Sequence, residues 1–414
     1  MDYFQALNKL KEYNQEHLLK FYDKMSEEKQ KNLLEQVESL NLEQIDNLFK
    51  NIKNQENKPA KIEPIEYIDK EKLTEEEKKE YEKIGNDTLS SGKLAAVTMA
   101  GGQGTRLGHI GPKGTFDLGL KSHKTLFEII CDTLKKVQEQ NGITIPWYIM
   151  TSEENNEETE NFFNKNNYFG YPKDKIKFFK QGQYPMIDTN GKILLNEEGL
   201  VKQAADGHGG VYIAMQKNNI IEDMRKKGIK WVVIGGIDNV LVNMFDPIFI
   251  GMYIKQGYKS ASKSVVKKYP EEKVGVFCKK DGRPSIIEYT ELSEQMAHDR
   301  DENGELKYGE SNIIVHIFEV DTIEKISKNL LPYHPAFKKA NYMNENGEVI
   351  IAKEPNAYKF EAFIFDAFEQ LDNMSILRVN REEEFAPVKN SDEKGVDCPK
   401  TARELYKKHF QIEE

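Results

Sequence analysis

The stretch KLAAVTMAGGQGTRLG, residues 93–108, decides how this chain is read. Its first half, Leu94-Ala95-Ala96-Val97-Thr98-Met99, is a short apolar run of the kind that forms a strand buried on both faces. The run leads directly into Ala100-Gly101-Gly102-Gln103-Gly104, and Pro112-Lys113-Gly114 follows closely. Glycines without a Cβ let backbone N–H groups come close to a phosphate or a base, and Arg106 and Lys113 can place charge where phosphate oxygens lie. Two commoner phosphate loops do not fit. A P-loop needs GxxxxGK[ST], and no such string occurs in this stretch, which excludes ATP hydrolysis of that type. A dinucleotide-binding loop needs a third glycine at position 107, where Leu107 stands, so hydride transfer loses its main support. The plain alternative is a glycine-rich surface turn.

Outward from this segment, short apolar runs alternate with amphipathic stretches. A helix near residues 126–137, WYIM at 147–150, a helix near 154–164, IKFF at 176–179, and WVVIGGIDN at 231–239 with a helix near 247–255 follow in turn. The alternation predicts an α/β fold with a central, mostly parallel twisted sheet covered by helices, and ligands at the carboxyl ends of its strands. After Lys259 the runs SASKSVVKK, VGVFCKK, SIIEY and NIIVHIF are more closely spaced, which predicts an antiparallel section capping the open edge of the site. A helix over EAFIFDAFEQL at 361–371 and a strand over SILRVNR at 375–381 then return to the core. Before the sheet, Phe4, Leu7, Leu10, then Leu33, Val37, Leu40, then Ile45, Leu48, Phe49 recur at helical spacing and predict a helical arm. Pro59 and Pro64 lead on to a charged helix from Leu73 to Ile84, which Asn86, Gly92 and two serines end. The expected organisation is an N-terminal helical arm and linker over 1–90, a catalytic domain over 91–390 and a short charged tail over 391–414.

Composition narrows the class. Of 414 residues, 59 are basic and 69 acidic, and the net charge of −10 disfavours a broad nucleic-acid surface, so an anionic substrate needs a few locally placed cations. The three cysteines, Cys131, Cys278 and Cys398, are too few for a disulfide framework and too far apart for a zinc-binding pair. The start MDYFQALNKLKEYNQEH lacks the basic-then-apolar order of a signal peptide, and no run approaches a membrane span. A cytoplasmic protein without membrane attachment is expected.

GGQGTRLG followed by PKG resembles the signature of nucleotide-sugar pyrophosphorylases. KGTFDLGLKSHKTLF at 113–127 is similar to the eukaryotic-type UDP-N-acetylglucosamine pyrophosphorylases in particular. Ordered matches extend over roughly residues 60 to 405, among them FFKQG at 178–182, DGHGGVY at 206–212, IDN at 237–239, VGVFC at 274–278, IIEY at 286–289, SNI at 311–313, PNAYKFE at 355–361 and FAPVKN at 385–390. The resemblance implies a Rossmann-like nucleotidyltransferase fold with an antiparallel sugar-binding insertion. It implies reversible uridylyl transfer, in which UTP and a sugar 1-phosphate, N-acetylglucosamine 1-phosphate, give the UDP-sugar and pyrophosphate with Mg²⁺ or another divalent cation. It further implies that Gly101, Gly102, Gln181 and Gly207 hold the uridine, the Gln181 amide reading the uracil edge. On the same resemblance Gly275, Glu288 and Asn312, with His208 nearby, are expected to face the sugar, Arg106, Lys113, Lys359 and Lys389 to handle phosphate, and Asp238 to offer its carboxylate to the metal.

The chemistry implied asks for no general base, because a sugar phosphate is already an anionic nucleophile at neutral pH. In-line positioning and neutralised charge suffice, which agrees with the lack of a recognisable Ser/His/Asp or Cys/His constellation. The chain departs from the family pattern at His208, where the family has asparagine, and at Ala205, where it has proline. That departure keeps a UDP-glucose or broad-range UDP-sugar pyrophosphorylase as the alternative. A non-catalytic nucleotide-sugar binding protein is the alternative from another class, and retention of Arg106, Lys113, Asp238, Lys359 and Lys389 argues against it.

Overall fold

The strand predicted at the glycine-rich segment forms over Leu94–Met99, with every residue buried. In the computed structural model, which describes residues 1–54 and 60–412, it lies in a sheet of mixed direction; Pro59 of the expected linker lies outside the described residues. The main path of that sheet runs Ile68–Asp69, Ser375–Arg378, Ser260–Val266, Glu310–Glu319, Trp231–Gly236, Leu94–Met99, Trp147–Thr151, Ile176–Lys180. The last four strands are mutually parallel, with Ala96 paired to Trp147 and to Val233. Glu310–Glu319 runs antiparallel to both of its neighbours on the path. The antiparallel section expected after Lys259 is therefore part of the same sheet, as Val276–Lys280 pairs with Arg283–Ile287 and touches the Glu310–Glu319 strand at Ser311.

This sheet belongs to one of two compact units, made of Ala60–Gln181, Gly210–Leu330 and Ile364–Glu414. Its core gathers Leu94, Ala96, Phe127, Leu134, Trp147, Phe163, Val233, Phe249 and Val315. The helix Leu126–Asn141 begins where the Thr125 side chain accepts a hydrogen bond from the Glu128 N–H and ends at Gly142 in the left-handed region.

Three elements differ from the sequence reading. The charged helix spans Glu75–Ser90 and passes straight through Asn86, because its Gly85 face packs on Pro247 of the helix Pro247–Gln256. The segment 361–371 is not an α-helix, since a strand ends at Glu361 and 3₁₀ turns span Ile364–Gln370. Its aromatic residues drive it inward, with Phe365 and Phe368 buried. Residues of the charged tail form the helix Pro399–Phe410, docked through Ala402 and Tyr406, one turn apart on its buried face.

The other unit comprises Met1–Pro59, Gly182–Gly209 and Leu331–Phe363. Its helices Tyr3–Lys11, Glu27–Ser39 and Leu42–Asn54 realise the expected arm, and their apolar faces meet Ile187, Leu195, Val201 and Phe360 in a core of their own. One side chain fixes the approach: Gln15 donates to the Gly191 carbonyl at 2.8 Å and accepts from the Ile193 N–H at 2.9 Å. The strands His334–Lys338, Ala357–Glu361 and Ile187–Asp188 make a small antiparallel sheet here. The compact units are thus not colinear with the three segments expected from the sequence, because residues 182–209 and 331–363 join the arm. Among the described residues no helix is long and apolar enough to cross a membrane. All three cysteines are free and buried.

Candidate functional site

At the carboxyl end of Leu94–Met99 the chain turns through Ala100–Gly104 into a short 3₁₀ turn, Thr105–Leu107. The loop is held in shape by its own backbone, since the Lys113 N–H donates to the Gly102 carbonyl at 3.0 Å and the Gly104 N–H to the Gly111 carbonyl at 2.9 Å. His109 braces it further, its Nε2 lying 2.8 Å from Thr115 Oγ1 while that hydroxyl donates to the Pro112 carbonyl. Arg106 projects from this loop exposed and Lys113 half-buried.

The neighbouring parallel strands deliver their ends to the same place. Ile176–Lys180 leads to Gln181, whose N–H donates to the Thr151 carbonyl at 2.8 Å. The Gln181 side chain lies so close over Gly101 that a Cβ there would collide with its Oε1. Glycine at 101 thus lets the very amide expected to read a base lie against the backbone, and a larger residue would displace it. Trp231–Gly236 leads to Asp238, whose carboxylate stands 3.5 Å from Lys113 Nζ. Burial works to raise the Asp238 carboxyl, but the Lys113 and Lys389 ammonium groups outweigh it and hold its pKa below the usual carboxylate value. Lys389 is brought there by backbone pairing, as the Val388 N–H donates to the Asp238 carbonyl at 2.8 Å.

Gly275, Glu288 and Asn312 also come together. The Asn312 N–H donates to the Gly275 carbonyl at 2.9 Å, and Glu288 Oε1 would stand 2.8 Å from a Cβ on Gly275. The Asn312 side chain accepts from the Ile314 N–H at 2.9 Å across a bulge, where the ladder shifts between Ser262 and Ser264. Ile314 sits there at φ +56, a left-handed conformation that a β-branched residue adopts only under strain. Its side chain faces Gly236, beside the Asp238 carboxylate, so the bulge aims the Asn312 strand at the Asp238 turn.

Gly207, His208 and Lys359 belong to the other unit and are described within it. Gly207 has φ +87 and packs on the backbone of Ala362. The His208 ring lies 5.5 Å from that of Phe363, which in turn stacks on His334 at 4.6 Å. Lys359 Nζ pairs with Glu361 at 2.7 Å, so a phosphate reaching this lysine competes with a carboxylate already present.

Two buried asparagines of the sheet unit hold these turns and were missed in the sequence. Asn155, fully buried, donates from Nδ2 to the carbonyls of Ala100 at 3.0 Å and Gly102 at 3.3 Å. In sequence it is an ordinary helix-start asparagine before Asn156–Lys165, and no local pattern marks its other use. Asn239 donates to the Glu384 carbonyl at 2.7 Å and accepts from the Ala386 N–H at 2.9 Å, tying the Asp238 turn to the segment that carries Lys389. Its place in IDN was the available signal.

The family model described as UTP--glucose-1-phosphate uridylyltransferase matches residues 9–398. UDP-N-acetylglucosamine diphosphorylase 2 of Arabidopsis thaliana is 38% identical over 423 residues, covering 97% of this chain and 83% of its own length. UDP-N-acetylglucosamine pyrophosphorylase of Saccharomyces cerevisiae is 40% identical over 361 residues, covering 84% and 76%. The crystal structure of the uridine diphosphate N-acetylglucosamine pyrophosphorylase from Trypanosoma brucei in complex with inhibitor superposes with a TM-score of 0.82 at 29% identity, over 96% of this chain and 83% of that one. With its glycine loop, lysine-flanked Asp238 and matched sequence over most of its length, this chain belongs to the UTP--glucose-1-phosphate uridylyltransferase family of nucleotidyltransferases.

Proposed function

We propose that this uridylyltransferase joins UTP to N-acetylglucosamine 1-phosphate and releases pyrophosphate. The observation that carries the reading is that Lys113, Asp238 and Lys389 gather at the carboxyl ends of the parallel strands of the sheet, the strand ends that also lead to Gly101 and Gln181. Gln181 and the open backbone at Gly101 and Gly102 orient the base. Binding groups satisfied by the uracil edge would be left unpaired by a purine, which is how such a site rejects the wrong nucleotide. An oxygen of the sugar phosphate attacks the α-phosphorus of UTP, a new P–O bond forms, and the bond to the β-phosphate oxygen breaks with pyrophosphate leaving. Lys113, Lys389 and Arg106 take up charge that grows on the α-phosphate and on the leaving group. Glu288 accepts hydrogen bonds from sugar hydroxyls, and Asn312 offers both donor and acceptor to an acetamido group.

Divalent metal fits the residues present. Among the described residues no three His, Cys, Asp or Glu side chains gather into a closed metal cage. Mg²⁺ does not need one, being held by one or two carboxylates together with substrate phosphates. Asp238, ionised and partly exposed, would hold it, and the ion would supply neutralising charge to the phosphates when bound. The test is pyrophosphate release from UTP and N-acetylglucosamine 1-phosphate with and without Mg²⁺. Release that persists unchanged in a strong chelator would rule out the metal, and no release with Mg²⁺ would rule out the reaction.

A second reading, a broad-range UDP-sugar pyrophosphorylase, is favoured by His208. Its ring, larger than the family's asparagine and packed on Phe363, changes the polar atoms the Gly207–Gly209 turn offers to a sugar. His208→Asn should raise the preference for N-acetylglucosamine 1-phosphate over glucose 1-phosphate by about 1 kcal/mol, roughly one net hydrogen bond. An unchanged ratio of kcat/KM values would place His208 outside sugar selection.

A further inference from the structure

We propose that Asn155 is a positioning residue for nucleotide binding, setting the peptide planes on either side of Gly101–Gly102. The inference rests on the reading of that segment as the uridine cradle. A trans peptide is planar, with its C=O and N–H pointing in opposite directions. Fixing the Ala100 carbonyl therefore fixes the Gly101 N–H, and fixing the Gly102 carbonyl fixes the Gln103 N–H. Asn155 holds both carbonyls from beneath with the two hydrogens of one amide, at 3.0 and 3.3 Å. The amide is itself pinned, because its Oδ1 accepts from the Ser152 N–H at 2.8 Å. The Asn155 carbonyl accepts from Thr159 Oγ1 at 2.7 Å, which locks its backbone onto the first turn of the following helix. The side chain is fully buried, so water cannot replace it without opening the sheet end. The Gly101 and Gln103 N–H groups consequently point opposite to the carbonyls that Asn155 holds, in fixed directions, from a backbone that carries no Cβ at 101 or 102.

This arrangement is preorganisation: the glycines make the loop approachable but also loose, and the buried amide at Ala100 and Gly102, together with the Lys113 N–H on the Gly102 carbonyl, removes that looseness before ligand arrives. Helix capping does not account for it, since the Asn155 side chain makes no cap hydrogen bond to the helix it precedes.

Asn155→Asp keeps the shape, removes both donors and sets a carboxylate oxygen against two carbonyl oxygens. Calorimetric titration with MgUTP should show binding weakened about tenfold or more, while the KM for the sugar 1-phosphate changes less than about twofold. Asn155→Ser, which keeps one donor, should fall between the variant and the wild type, and it serves as the test if the aspartate variant does not fold. UTP binding equal to wild type in the variants overturns the proposal. So does an equal loss for both substrates that follows a lowered melting temperature, because that is the mark of a merely structural residue. A wild-type protein that does not bind MgUTP overturns the underlying assignment of the segment instead.

Discussion

At the residue scale the proposed chemistry turns on a carboxylate held between two lysines. Asp238 has a pKa below the ordinary carboxylate value because Lys113 and Lys389 outweigh the cost of its burial. The sign follows directly: its charge is complete above the ordinary carboxylate range and is lost only as pH falls through the depressed value. Asp238→Asn should therefore lower metal-dependent turnover by about 10²-fold at neutral pH, with the melting temperature little changed. Full activity at limiting Mg²⁺ would show that the metal is held elsewhere. Arg106→Ala and Lys389→Ala should each reduce kcat by roughly 10²-fold to 10³-fold and affect the KM for sugar phosphate less, as charges aimed at the transition state do. Steady-state kinetics that leave kcat intact would remove the residue concerned from the catalytic set. These groups were legible in the sequence because each lies in a short string with glycine or an apolar strand beside it. Asn155 was not, because its partners Ala100 and Gly102 lie more than fifty positions away and only the pairing of adjacent strands brings them near.

At the scale of elements, the turn after Trp231–Gly236 and the segment before Lys389 are locked together by buried charge. Lys263, fully buried on the strand Ser260–Val266, reaches Glu384 at 2.5 Å and Asp246 at 3.0 Å, and Lys70 adds to Asp246 at 2.7 Å. Burial raises Glu384, whereas at Asp246 the two lysines outweigh burial and hold the carboxyl far below its usual range. Stability contributed by Asp246 is therefore present above about pH 4 and lost as the medium becomes more acidic. Lys263→Ala should destabilise the sheet unit by about 3–5 kcal/mol, because it removes the fully buried partner of Glu384 and leaves Asp246 with Lys70 alone. Denaturant unfolding measures this, and a loss below 1 kcal/mol would mean that water or Lys70 compensates. Alternating apolar runs made the strands of this unit legible, yet nothing in SASKSVV announces that Lys263 points inward. A lysine in a charged chain is ordinarily solvated, and only the facing carboxylates reverse that expectation.

At the scale of the molecule, the parallel end of the sheet, its antiparallel branch and the glycine loop were all readable from period and spacing. The division into units was not. Residues 182–209 and 331–363 carry too little local signal to reveal that they join the N-terminal helices, and the docking of Pro399–Phe410 depends on Ala402 and Tyr406 within an otherwise charged helix. Family membership gives the reaction, uridylyl transfer, and the sugar is what separates the two proposed readings. The most direct measurement is kcat/KM for N-acetylglucosamine 1-phosphate and for glucose 1-phosphate, each with saturating UTP and Mg²⁺ and with pyrophosphate release as the readout. The expected result is release with both and a higher value for N-acetylglucosamine 1-phosphate; a higher value for glucose 1-phosphate would overturn the assignment of N-acetylglucosamine 1-phosphate as substrate.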